Sequence, residues 1–134
     1  MADLCICDSG KEFGKCCARF LDDKQLPRTP EQLMRSRYSA YALGGHGEYL
    51  LQTWFPATAG KLTAELLSQR SHNWFRLEIL AKSQQGDQGW VEFNAWYHDP
   101  QGLERVLHEK SVFQRSAGRW FYVGGEVSSS PGEA

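Results

Sequence analysis

All four cysteines of this 134-residue chain fall between Cys5 and Cys17, in the stretch CICDSGKEFGKCC. Disulfides among them would close very small loops, and such loops remove little conformational entropy from the unfolded chain. A redox couple usually has the C-x-x-C spacing, which this stretch lacks. Four thiolates can instead surround one metal ion, and zinc is the expected metal for an all-sulfur tetrahedron. The spacing predicts a metal site formed by Cys5, Cys7, Cys16 and Cys17.

The residues around the cysteines favour a compact segment. The turn-forming sequence DSG lies between the two cysteine pairs, and Gly10 can adopt the positive φ that folds the chain back. The run CCARFL is typical of a short helix. Cys16 and Cys17 are expected in its first turn, where free backbone N–H groups stabilise anionic sulfur.

Charge and composition exclude several classes of function. Lys and Arg number 15 against 16 Asp and Glu, so the formal net charge of −1 argues against a general nucleic-acid binder. The N-terminus lacks the basic and apolar segments of a secretory signal, and no apolar stretch approaches the roughly 20 residues of a membrane span. The sequence predicts a cytoplasmic protein without a membrane anchor. Thiols stay reduced in that compartment, which again favours metal binding.

Composition divides the chain into four regions. These are a small zinc knuckle that we call the hook (1–21), a linker (22–29), an α+β domain that we call the roll (30–127), and a tail (128–134). The tail, SSSPGEA, is polar and expected to be mobile.

Three helices are predicted at the start of the roll. The first begins at Pro30 with Thr29 as N-cap and ends at Gly44-Gly45. The second covers GEYLLQTW and is stopped by Pro56, and the third covers TAGKLTAELLSQR.

Four antiparallel strands are predicted from Trp74 onward, because apolar and polar residues then alternate with a period of two. In the first strand the apolar set is Phe75, Leu77, Ile79 and Ala81, and Lys82 belongs to the polar set. Helices followed by such a meander indicate an α+β fold with the helices packed on one face of a curved sheet. The same order occurs in the roll of nuclear transport factor 2 and ketosteroid isomerase, a cystatin-like arrangement.

The stretch CICDSGKEFGKCC resembles the SEC-C motif, the zinc hook at the C-terminus of the SecA translocation motor, whose usual form is C-P-C-G-S-G-K-K-x-K-x-C-C/H. The resemblance implies that the four cysteines hold one structural zinc ion. It also implies docking on another protein, because the hook of SecA contacts a chaperone and ribosomes. Ile6 replaces the usual proline and Asp8 the first glycine, and neither change removes a ligand.

Several later blocks resemble the YchJ family of small bacterial proteins, whose main domain is such a roll. They are LMRSRYSAYALG, YLLQTW, WFRLEIL, VEFNAWY and HEKSVFQRSAGRWFYVGG. The resemblance covers nearly the whole chain and implies the fold. The family has no settled biochemical function, so function must be argued from the sites.

A roll tends to leave a pocket between its concave face and its long helix. The candidate pocket residues are Arg35, Arg37 and Tyr38 on that helix and Glu109 and Ser111 on the third strand. Strand alternation places Glu109 and Ser111 on the inner face. Glu109 beside an arginine is either a general base or, as we favour, half of a buried Glu–Arg pair that holds the helix on the sheet.

The remaining chemically active side chains are given ordinary structural roles. In a regular strand His108 faces away from Ser111, so a Ser–His nucleophile is not expected, and His108 is predicted to be a surface or cross-strand residue. The other histidines (His46, His72 and His98) are interpreted as solvated. Large aromatics are more often core than ligand cage, and core is predicted for Trp54, Trp90, Trp96, Trp120 and Tyr122.

Two functions remain open. The favoured one is a zinc-dependent module that docks on a protein or ribonucleoprotein through its hook and binds a small molecule in its roll. The alternative is a small-molecule enzyme of lyase, isomerase or hydrolase type that uses Glu109 and an arginine. Zinc is structural in both, because four thiolates leave no open coordination position.

Overall fold

The computed structural model of the chain describes residues 3–69 and 72–131. A 3-10 turn and five α-helices precede four strands in this part of the chain. The turn is Phe13–Lys15, the helices are α1 (Ala18–Leu21), α2 (Pro30–Leu43), α3 (Gly47–Gln52), α4 (Pro56–Ala59) and α5 (Ala64–Leu67), and the strands are β1 (Asn73–Gln85), β2 (Gln88–His98), β3 (Glu104–Ser116) and β4 (Arg119–Pro131). The predicted α+β class is confirmed.

Helix α2 is built as its sequence predicts. The Thr29 side chain accepts a hydrogen bond from the Gln32 N–H (3.1 Å), Pro30 occupies the first turn, and Gly44 ends the helix at φ 73°. Its buried side chains include Ser36 and Ser39 as well as Leu33, so more than one face of the helix is covered.

The predicted third helix is wrong in its extent. The chain forms two four-residue helices, α4 and α5, which are separated by Gly60 at φ 59°. Pro56 opens α4, and α5 has its own cap, because Thr63 accepts from the Leu66 N–H at 3.2 Å. Arg70, at the end of the predicted helix, lies outside the described residues.

The sheet is an antiparallel meander in the order β1-β2-β3-β4. Register shifts occur in β1 between Trp74 and Arg76 and between Ile79 and Ala81, and a third occurs in the β3–β4 pairing. Bulges bend a strand and exchange its faces, which gives the sheet its curvature. The predicted β1 alternation is therefore wrong at its ends: Phe75 is 39% exposed, whereas Leu77 is 4% exposed.

Both outer strands of the sheet have local partners. The Asp8 carboxylate accepts from the Leu77 N–H of β1 at 2.8 Å. On β4, Tyr122 exchanges two backbone hydrogen bonds of 2.7 Å, one with Thr53 and one with Phe55. β4 also continues to Pro131, into the stretch predicted as a tail, and residues 132–134 of that tail lie outside the described residues.

One apolar core extends from the hook into the roll. The cluster of buried residues contains all four cysteines together with Leu33 of α2 and Phe93 and Phe113 of the sheet. The segment between hook and roll is held as well, since the Trp120 indole N–H donates to the Arg28 carbonyl at 3.2 Å. The hook is thus a packed part of the same body.

Candidate metal centre and roll pocket

The four cysteine sulfurs converge at one point. All four Sγ atoms lie within 4.8 Å of one another, and those of Cys7 and Cys16 are 3.6 Å apart. A tetrahedron with zinc–sulfur bonds of about 2.3 Å has edges of about 3.8 Å. The cysteines are free thiols and buried, from 0% to 6% exposed. The donor set fits one thiolate-bound metal ion.

The backbone of the hook explains this convergence. Asp8 (φ 62°) and Gly10 (φ 82°) are both left-handed, and the Cys5 N–H then donates to the Lys11 carbonyl at 2.8 Å. Cys16 and Cys17 differ from their prediction, because they lie between the 3-10 turn and α1 and not within a first helical turn. These two left-handed residues, within three positions, fold the chain back and bring the two thiol pairs together.

The thiols are close enough to share protons. Hydrogen bonds from Cys17 and Cys7 lower the pKa of Cys5, and the reciprocal contact with Cys5 raises the pKa of Cys17. The Ser9 hydroxyl adds a contact of 3.1 Å to the Cys16 sulfur. Metal binding requires the thiolate form of all four side chains, so an ion bound here would displace the remaining protons.

The hook is fastened to α2 through charged and polar contacts. Arg35 Nη1 donates to the Cys7 carbonyl at 2.6 Å, and Arg35 Nε donates to Glu31 at 2.9 Å. Glu31 also bonds to Lys82 of β1, and the Cys5 sulfur lies 3.9 Å from the Ser39 hydroxyl. Arg35 therefore belongs to the hook interface and does not line the roll pocket, which corrects its placement among the pocket candidates.

The roll does contain a pocket, between α2 and the concave face of the sheet. Its volume is about 290 Å³. Four of the five predicted pocket residues line it: Arg37, Tyr38, Glu109 and Ser111. The predicted face of β3 is thus correct.

Arg37 is a buried cation at this pocket, only 5% exposed. Its Nη1 donates to the Leu50 carbonyl and the Thr53 hydroxyl, each at 2.7 Å. The guanidinium carbon lies 4.9 Å from the ring centre of Trp54 and 4.7 Å from that of Tyr122. Burial lowers the pKa of Arg37.

Glu109 has hydroxyl partners in place of the expected arginine. Its Oε2 accepts from the Ser111 hydroxyl and, at 3.1 Å, from the Tyr122 hydroxyl. Among the described residues, Arg37 and Glu109 form no ion pair with each other. Tyr122 contacts both of them, with its ring on Arg37 and its hydroxyl on Glu109. The predicted Glu–Arg pair is therefore wrong, and the two side chains are connected through Tyr122. Burial, with Glu109 adding to it, raises the pKa of Tyr122.

Two polar atoms of the pocket residues are unsatisfied. Within the described chain, the Tyr38 hydroxyl and the Trp54 indole nitrogen are the buried side-chain atoms that have no hydrogen-bond partner. Both residues line the pocket, and Tyr38 is 5% exposed. Burial also raises the pKa of Tyr38, so its hydroxyl stays a donor.

For three of the four histidines the structure gives a defined neighbour, and His46 is half-buried. His108 Nε2 lies 2.8 Å from Glu92 across the strand pair, as expected of a cross-strand residue. His72 stacks on Tyr97 with ring centres 4.2 Å apart and lines the pocket, and His98 stacks on Phe75 at 4.4 Å. Their strand neighbours cover both rings, so neither stands free in solvent.

The five large aromatics are less uniform than predicted. Trp120 alone among them is fully buried, whereas Trp54 and Tyr122 line the pocket. Trp90 and Trp96 are half-buried under cations, with Lys110 and Arg76 each 4.3 Å from the ring centre. Core is the correct interpretation for Trp120, and Trp54 and Tyr122 pack against the core as half-buried side chains, whereas Trp90 and Trp96 lie outside it.

A second cavity, which we call the hook–roll cleft, was missed by sequence reasoning. It measures about 540 Å³, and its charged lining residues are Lys11, Arg19, Glu31, Arg35 and Lys82. Lys82 is assigned to the polar set of β1 by alternation, but the bulge before Ala81 sets it opposite the inward Val91. The sequence signal of that bulge is a run of three adjacent apolar residues, Ile79, Leu80 and Ala81.

Comparison with protein families matches both parts of the chain. Residues 29–125 match the model described as YchJ, middle NTF2-like domain, and residues 1–19 match the SEC-C motif. The UPF0225 protein SG1365 of Sodalis glossinidius is 40% identical over 130 residues, covering 93% of this chain and 84% of that protein. A UPF0225 protein of Corynebacterium glutamicum is 37% identical over 131 residues, covering 95% and 99%.

A solved structure also matches. The solution structure of RPA3114, a SEC-C motif containing protein from Rhodopseudomonas palustris, superposes with a TM-score of 0.83 at 35% identity and covers 94% of this chain and 98% of that one. Among the described residues, no helix combines the length and apolarity required to cross a bilayer.

Proposed function

Because this chain belongs to the YchJ family and carries a SEC-C motif, we propose that it is a bacterial cytoplasmic zinc protein that docks on a partner protein through its hook and binds a small molecule in its roll. The convergence of four buried thiols supports this proposal, because a hook that closes around a metal ion would depend on that ion for its fold. The bound ion is one structural zinc, since four thiolates fill its coordination sphere.

The docking surface is the hook–roll cleft. Four cations, Lys11, Arg19, Arg35 and Lys82, face the single carboxylate of Glu31. The cleft therefore stays positive even beside a zinc tetrathiolate of formal charge −2. Lys82 has a side chain 62% exposed although it pairs with Glu31, and Lys11 is also exposed, so a partner can reach both. A positive cleft favours an acidic segment of another protein.

Charge reversal in the cleft tests the docking. The zinc-loaded wild type and the Lys11→Glu/Lys82→Glu variant are used as baits in nuclease-treated extract, with bound proteins quantified. A Lys110→Glu variant is the control, since Lys110 lies over Trp90 and outside the cleft. A protein partner kept by the control and lost by the cleft variant supports the proposal. A partner set that is unchanged in all three baits, or that is captured only from a parallel extract without nuclease, contradicts protein docking at this cleft.

Native mass spectrometry tests the zinc and the ligand together. Reduced, purified protein is expected to carry the mass of one zinc ion, which a chelator removes, and any molecule retained in the roll appears as an additional mass. Absence of metal from carefully reduced protein would contradict the zinc site. This measurement is preferable to cysteine replacement, because the buried cysteines share the core of the roll and their loss disturbs both parts.

A further inference from the structure

The roll pocket has room for a compact ring molecule. A dry cavity of about 150 Å³ accommodates benzene, and this pocket measures about 290 Å³. The volume is therefore sufficient for a molecule of one or two fused rings.

The walls of the pocket are mainly aromatic. Tyr38 and Trp74 meet edge to face with ring centres 6.2 Å apart, and Phe113 and Tyr122 do so at 5.9 Å. Phe93 contributes a further ring. Aromatic walls with few polar groups favour a planar, largely apolar ligand body.

Two hydrogen-bond donors of the pocket residues lack an acceptor. The Oε2 atom of Glu109 already accepts from the hydroxyls of Ser111 and Tyr122. The Trp54 N–H and the Tyr38 O–H are buried without a partner, and an indole N–H can only donate. A ligand that completes this site must bring an acceptor.

Arg37 indicates that this acceptor is anionic. Its hydrogen-bond partners, the Leu50 carbonyl and the Thr53 hydroxyl, are neutral. It makes no ion pair within the described chain, and the charge of Glu109 acts on it only without direct contact. A buried cation without a contacting anion is unfavourable, and a carboxylate beside it would relieve that penalty. The Trp54 ring lies against the same guanidinium, so this residue belongs to the same end of the pocket.

We propose that the roll pocket binds an aromatic carboxylic acid of one or two rings, with its carboxylate beside Arg37 and the Trp54 N–H and its rings against the aromatic wall. The assignment names the ligand class for the roll whose ligand binding is proposed above. It does not depend on docking at the hook.

Calorimetry with 2-naphthoate tests the assignment on the zinc-loaded full chain. The neutral 2-naphthamide, which has the same rings and a carbonyl, is the comparison compound. The acid is expected to bind about tenfold tighter than the amide, because a charge-assisted contact is replaced by a neutral one. In a ¹H–¹⁵N spectrum, the indole resonance of Trp54 should shift most among the tryptophans.

Conservative variants locate the site. Trp54→Phe should weaken 2-naphthoate binding about tenfold and Tyr38→Phe by a smaller factor, whereas Trp90→Phe, on the half-buried ring under Lys110, should leave it unchanged. Glu109→Gln should strengthen binding severalfold, because it removes a negative charge and keeps an oxygen for Ser111 and Tyr122.

Three results would overturn the assignment: no binding of 2-naphthoate, equal binding of the amide, or affinity that is insensitive to Tyr38→Phe and Glu109→Gln. These two variants keep the test decisive even if Trp54→Phe does not fold. If native mass spectrometry finds another retained molecule while 2-naphthoate does not bind, the ligand class fails and the proposed ligand-binding role of the roll survives.

Discussion

The hook interface and the roll pocket lie on opposite sides of α2 and differ in how their polar groups are satisfied. Arg35 and Arg37 are two residues apart, about 200° around a helix, so one faces each region. Arg35 has a carbonyl and a carboxylate as partners. Arg37 has neutral oxygens and aromatic rings, beside donors with no partner. The hook side is complete as a structural joint, whereas the pocket side retains the unpaired donors typical of a binding site.

Metal removal should change the stability of the two regions more than any of the substitutions below. Because the cysteines share one core with the roll, chelation is expected to destabilise both regions by several kcal/mol, lowering Tm by about 10 °C or more in a single transition. Circular dichroism and tryptophan fluorescence would follow the unfolding, with zinc re-addition as the control. An unchanged Tm for the roll would show that the hook is energetically separate.

Truncation of Arg37 should destabilise the protein more than truncation of Arg35, on the other side of α2. Arg37→Met leaves the Leu50 carbonyl and the Thr53 hydroxyl with one donor fewer inside the core, and we expect a loss of about 2–3 kcal/mol in the free energy of unfolding. Arg35→Met, at a partly exposed site, should cost about 1 kcal/mol. Urea unfolding measures both, and equal losses would contradict the contrast drawn between the two sides.

Loss of the hydrogen bond between the Asp8 carboxylate and β1 should have an intermediate effect on stability. Asp8→Ala removes the acceptor for the Leu77 N–H and places an alanine at φ 62°, and we expect a loss of about 2 kcal/mol. Asp8→Asn keeps an acceptor and tolerates the left-handed region, so its loss should be below about 0.5 kcal/mol. If the two variants unfold at the same urea concentration, the carboxylate does not fasten the hook to β1.

Glu31 should give the smallest effect, visible mainly as a pH dependence. Burial alone would raise the pKa of Glu31, but Lys82 and Arg35 outweigh it and hold that pKa below its ordinary value of 4.5. A lowered folded-state pKa means that the stabilisation is present above pH 4.5 and is lost as the pH falls below it. Exposure of the pair limits the effect to under about 1 kcal/mol.

The matched variant for that prediction is Glu31→Gln. Its urea midpoint should be slightly lower than that of the wild type at pH 7 and should converge with it at acid pH. If the urea midpoints of the two proteins change with pH in parallel, the Glu31 charge has no role in holding the hook on the roll.

The features that sequence reasoning predicted correctly are those fixed by residues close together in the chain. The Thr29-Pro30 start and the Gly44 end of α2 are confirmed, and so are the cysteine cluster and the shared face of Glu109 and Ser111. Each of these rests on capping, spacing or strand parity, which act over a few residues.

Features that depend on tertiary contact escaped sequence reasoning. The bulges in β1 turned Phe75 outward and Lys82 toward α2, and strict alternation predicts neither. Packing of the hook on α2 decided where Arg35 lies, although its sequence position equally allowed the pocket. The placement of His72 over Tyr97 follows from the pairing of β1 with β2, a partnership that no short window of sequence contains.

The contacts made by Asp8 on β1 and by Thr53 and Phe55 on β4 have a consequence for how this molecule behaves among its own copies. An open sheet exposes its outermost backbone as a template for lateral growth into aggregates. A carboxylate blocks one rim at Leu77, and a crossing segment blocks the other at Tyr122. An incoming extended chain would meet an interruption on either side, which favours solubility at high concentration.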